Sequence, residues 1–147
     1  MGIVPFDEAY VAKLGHFIYV VSYLEWCVLG DLPHLQGLPS ELDLYRLAGK
    51  TTGDIGRTIG SHLAKVGDPD VRLWLAAAAR NLTEVADLRN HVLHARPATV
   101  DERQTLYRWR PPHDAFPITD GWLSECTAEV ETRITEQNRL RVFLPQP

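Results

Sequence analysis

The stretch from Asp68 to Pro97 constrains this chain more than any other. Asp68-Pro69 sets a capping carboxylate before a proline in the first helical turn, where the missing N–H costs nothing. Val71, Leu75, Ala78, Leu82, Val85, Leu88 and Val92 then recur in steps of three and four. That spacing predicts a long helix with one apolar seam, running to about His94 and stopped before Pro97.

A seam of that length must be covered, and three other segments carry matching stripes. Phe6 to Leu29 reads as a helix with Tyr10, Leu14, Phe17, Val21, Leu24 and Val28 inward. A second starts near Thr52 or Asp54, carries Ile55, Ile59, Leu63 and Val66, and ends at Gly67-Asp68-Pro69. Glycines 53, 56 and 60 weaken it intrinsically, so close packing against a neighbour must compensate. The last helix is capped by Thr119 or Asp120, turns Leu123, Cys126, Val130 and Ile134 inward, and ends near Val142. Between the first two helices, Pro33, Gly37, Pro39 and Gly49 predict a connection with one helical turn at 41–47.

Thr99-Val100 and Thr105 to Trp109 flank a polar Asp101-Glu102-Arg103-Gln104, which predicts a hairpin. The expected class is therefore all-α: a four- to five-helix up-and-down bundle with a short β-hairpin insert near residues 98–110. One domain spanning 1–147 is expected, because 147 residues with 45% hydrophobic content supply a single core. The longest apolar run, 17–21, is far too short to cross a bilayer and the first residues hold no basic leader, so no membrane contact and a cytoplasmic location are expected. Cys27 and Cys126 both lie on apolar stretches and read as buried thiols.

A net charge of -4 argues against a cationic coat, so any nucleic-acid contact has to be local. Arg89, Arg96, Arg103, Arg108 and Arg110 against Asp101 and Glu102 give 89–110 a balance of +3, which leaves -7 elsewhere. The seam of the long helix also passes through Arg89, where a guanidinium is costly unless paired, bound to an anion, or snorkelling to the surface. Asn90 and His94 are four apart on one face, and His91 and His94 are three apart.

Arg89, the polar Asn90 directly after it and His94 resemble the Arg-X4-6-His signature of the HEPN superfamily, small helical domains that include metal-independent RNA-cutting toxins and antiviral effectors. Ala95-Arg96-Pro97 is similar to the residues after the motif in compact actinobacterial and phage members, although Arg96 stands where one toxin subgroup has tyrosine. The resemblance implies an endoribonuclease of a toxin or phage-defence system with no cofactor, and a homodimer that juxtaposes two copies of the motif. It implies His94 in acid/base work, Arg89 stabilising the phosphorane, and Asn90 orienting His94 or holding a phosphate oxygen. An imidazole suits proton transfer and a fork-shaped guanidinium suits phosphate. His91, Arg96, Arg108 and Arg110 are candidate contacts to an RNA backbone, with Tyr107 and Trp109 available for base stacking or for ordinary strand packing. An antitoxin or sensor protein is a further possible partner.

Two other readings stand beside this one. Asp87, His91 and His94 at helical spacing could supply a carboxylate and two imidazoles to a metal. Alternatively, the Arg-Asn-His turn serves a non-catalytic module that binds RNA, a nucleotide or another copy.

Overall fold

The computed structural model describes residues 4–109 and 114–146. Five α-helices follow in order: α1 (Glu8–Leu29), the single turn α2 (Leu44–Leu47), α3 (Thr52–His62), α4 (Pro69–Leu93) and α5 (Asp120–Arg141). Between α4 and α5 lie three strands, β1 (Ala95–Val100), β2 (Arg103–Arg108) and β3 (Phe116–Ile118). Each long helix begins with a side-chain cap on an otherwise orphaned N–H. Asp7 accepts from Tyr10, Thr51 from Asp54, Asp68 from Asp70 and Val71, and Thr119 from Trp122.

Phe17 and Leu24 of α1, Trp74, Leu75 and Leu82 of α4, Ile118 of β3, and Leu123 and Val130 of α5 form the centre of one core. The glycines of α3 explain how that helix reaches α4. A methyl placed on Gly56 would lie 2.8 Å from Thr83 Cγ2 and 3.0 Å from the Ala79 carbonyl oxygen, so the two backbones meet through the missing side chain. Close packing does compensate the weak propensity of 53–60.

Helix directions follow from paired residues. Gly53 lies beside Ala86, and Gly60 beside Ala79, so α3 is antiparallel to α4. Arg80 pairs with Glu136, Arg133 with Glu84, and His91 packs on Trp122, so α5 is antiparallel to α4 as well. Lys13 pairs with Asp120 and Asp31 with Arg141, so α1 runs with α5. Helices α1, α3 and α5 therefore share one direction, and the connection between α1 and α3 returns the chain to its starting end. This corrects the expected up-and-down order.

The expected all-α class with a short insert holds in its coarse form: the molecule is mainly helical, and the insert is a three-stranded antiparallel sheet in the order β1-β2-β3. The hairpin turns at Asp101 and Glu102, both with positive φ (49° and 62°), as a two-residue primed loop requires. It starts three residues earlier than its polar centre suggested, at Ala95 opposite Arg108. The third strand, with Phe116 opposite Arg108 and Ile118 opposite Leu106, had no counterpart in the expected insert. Tyr10 bridges this last pair, its hydroxyl donating to the Ile118 carbonyl at 2.7 Å and accepting from the Leu106 N–H at 3.0 Å.

Candidate functional site

The candidate residues Arg89, Asn90, His91 and His94 gather at the carboxyl end of α4. His94 is its C-cap, with φ -96° and ψ 1°, and its N–H still bonds to the Asn90 carbonyl at 3.0 Å. The peptide then enters β1 directly, because Pro97 leaves the preceding residues no helical option. Asn90 and His94 share one exposed face, Arg96 is exposed two residues beyond, and Arg89 is half-buried. At 100° per residue, Arg89 points about 140° away from His94 around the axis, so one chain does not present both to the same atom. Among the described residues, the side chains of Arg89, Asn90 and His94 make no hydrogen bond or ion pair.

His91 is placed differently from its neighbours. It is half-buried against two aromatic rings, with centroids 5.5 Å from Phe116 and 6.2 Å from Trp122 in edge-on contact. Arg108 Nε donates to His91 Nδ1 at 3.3 Å. An arginine cannot accept, so Nδ1 carries the lone pair and the neutral ring holds its proton on Nε2. Burial first, and the Arg108 charge second, depress the His91 pKa below the ordinary imidazole value, against a smaller opposing pull from Asp87.

Strand alternation explains why Arg108 turns inward. Residues 106 and 108 of β2 share a face with 116 and 118 of β3, and that face lies on the core. Arg108 is only 8% exposed, and its Nη1 is buried without a hydrogen-bond partner among the described residues. The structure thus places His91 and Arg108, both candidate RNA-backbone contacts, as one pair with Arg108 on the core side of the sheet. Arg96 and Tyr107 are directly opposite each other on the outer face, and Trp109 is exposed. Arg110 lies outside the described residues.

No three His, Cys, Asp or Glu side chains among the described residues come together as a metal-holding group, so the Asp87, His91 and His94 alternative is not assembled. Among the described residues no helix is long and apolar enough to cross a membrane.

A second feature escaped sequence reasoning. An open groove of about 800 Å³ runs between the C-terminal ends of α1 and α5, lined among others by Tyr23, Trp26, Cys27, Asp31, Arg141 and Leu144. It lies at the end of the bundle opposite His94. Its only sequence signal was the surplus of aromatic residues late in α1.

No family model, curated protein or solved structure matches this chain.

Proposed function

We propose that the chain binds RNA at the exposed end of α4 and cuts it by metal-independent attack of a 2'-hydroxyl. The supporting observation is the placement of Asn90, His94 and Arg96: all exposed where α4 passes into β1, and without side-chain hydrogen bonds or ion pairs among the described residues. Polar groups committed to the fold's own stability would be paired, as His91 and Arg108 are.

In this reading the His94 imidazole removes the 2'-hydroxyl proton as the 2'-oxygen attacks phosphorus. The phosphorane carries an added negative charge, and collapse expels the 5'-oxygen, which takes a proton from an imidazolium. The products are a 2',3'-cyclic phosphate and a 5'-hydroxyl. Arg96 is the cation on the same surface, and Tyr107 beside it offers a ring for a base. Arg89 reaches the phosphate only from a second copy, which is how the HEPN likeness would be satisfied. A role in a toxin or defence system, with an antitoxin or sensor partner, belongs to the same proposal.

The test is cleavage of end-labelled RNA in the presence of a chelator. Wild type should yield a cyclic phosphate end, and a single 2'-deoxy substitution at the cut should abolish cleavage there. His94→Ala should lose at least about a hundredfold in rate. If His94→Ala and wild type leave RNA equally intact but bind it equally, the non-catalytic module replaces the nuclease. If neither binds, both fall.

A further inference from the structure

The wet face of a surface helix ordinarily carries charge, and one exposed side of α1 between Val11 and Trp26 does not. From Val11 to Trp26 one side of α1 presents Val11, Ala12, Gly15, Tyr19, Ser22, Tyr23 and Trp26, all exposed and none charged. Exposure reaches 44% at Val11, 67% at Tyr19, 48% at Tyr23 and 62% at Trp26. Nothing lies within 4 Å of the space where a Cβ on Gly15 would sit. The small residues occupy the first half of the stripe and the large rings the second.

That polarity makes the face complementary to itself. In an antiparallel pair centred on Tyr19, Trp26 of one helix lies over Ala12 of the other, and Tyr23 lies over Gly15. Large rings enter the places left by small residues twice over, as a two-fold axis demands. No charge opposes its own copy across the stripe. Covering these side chains would bury roughly 500 Å² per protomer, taking an aromatic side chain at about 150–250 Å² in full. A symmetric pair then reaches about 1,000 Å², the lower edge for a specific interface.

We propose that the outer face of α1 pairs with a second copy of this chain as an antiparallel two-fold dimer. The pairing goes beyond the functional reading and does not rest on it, because it leaves the two α4 ends at opposite ends of the dimer. Where it is the sole self-association, Arg96 and not Arg89 supplies the cation for the chemistry proposed above.

Sedimentation velocity over the micromolar range tests it with three variants. Wild type should dimerise with increasing concentration. Tyr19→Glu, which sets two carboxylates face to face on the axis, should weaken the dimer at least tenfold. Gly15→Gln should weaken it comparably while raising thermal stability, since glutamine is the better helix residue and only the notch is filled. His94→Glu, on α4 and outside the α1 stripe, should leave association unchanged. A monomeric wild type at high micromolar concentration overturns the proposal. A dimer indifferent to both α1 variants, or one lost in His94→Glu alone, overturns it as well. RNA cleavage by Tyr19→Glu is read separately, because the α4 end is untouched in that variant.

Discussion

Replacing two glycines of α3 one at a time separates helix propensity from helix contact. Alanine in place of glycine in a helix interior contributes about 0.8–1 kcal/mol through propensity alone. At Gly60 the new methyl would meet the Ala79 Cβ at 3.6 Å, an ordinary contact, so that gain should appear nearly in full. At Gly56 the methyl would lie 2.8 Å from Thr83 Cγ2, and 3.0 Å from both the Ala79 oxygen and the Thr83 nitrogen. Two of those atoms are α4 backbone, which cannot rotate aside, so α3 and α4 must part. Overpacking of this kind costs about 1–3 kcal/mol, and the upper half of that range applies because three contacts are violated at once. After the propensity gain, Gly56→Ala should lose about 1–2 kcal/mol while Gly60→Ala gains about 0.5–1 kcal/mol. Urea unfolding followed by circular dichroism should therefore show midpoints displaced in opposite directions at constant slope. Each kcal/mol should correspond to a shift of roughly 2–4 °C in Tm for a chain of this size. Equal stabilisation by both substitutions would refute the close approach of α3 and α4 that holds this side of the bundle together.

Three further outcomes are expected. Gln137, fully buried on α5, accepts from Asn81 Nδ2 at 3.2 Å and donates to the Trp74 carbonyl at 3.1 Å, so Gln137→Leu should cost about 2–3 kcal/mol in urea unfolding through the two groups it orphans. Tyr10→Phe should cost about 1–3 kcal/mol and speed amide exchange at Leu106 selectively; protection unchanged at Leu106 would count against the bridge. For His91, a folded pKa below the unfolded value of 6.5 means that the unfolded chain binds more protons between the two, so its contribution is present above 6.5 and lost as the pH falls toward the folded value. NMR titration should place the His91 midpoint below 6.5 and Arg108→Met should raise it; a wild-type midpoint at or above the ordinary value would contradict the placement of Arg108.

The boundaries of α4 and α5 were legible because their signals are local. Asp68-Pro69 and Thr119 cap where chemistry says they should, and apolar spacing carries each helix to its end. Helix direction was not legible, since a stripe defines which face is buried and says nothing of the neighbour's polarity. The connection from Gly30 to Thr51 is long enough to return the chain, and that length was the one clue to it. The pairing of His91 with Arg108 was not legible for a related reason. Between Tyr107 and Trp109 an arginine looks like a surface cation, whereas alternation with Leu106 places it on the core side once β3 supplies the third strand. Buried Asn81 and Gln137 escaped notice because a polar residue on a seam reads as an interruption until its partner, 56 residues away, is beside it. Arg89, Asn90 and His94 lie at the close of α4, where the apolar spacing placed them, with Asn90 and His94 on one face and Arg89 turned around the axis from His94.

The phenol of Tyr10 makes the smallest strand dependent on the first helix. In a regular ladder the Leu106 amide and the Ile118 carbonyl would satisfy each other, yet here a side chain from almost a hundred residues upstream stands between them. The β1–β2 hairpin can close through its own turn, whereas the rung joining Leu106 to Ile118 is complete only after α1 has docked. Opening of β3 and detachment of the α1 amino-terminal turn should accordingly be one event with one free energy, however far apart the two segments stand along the chain.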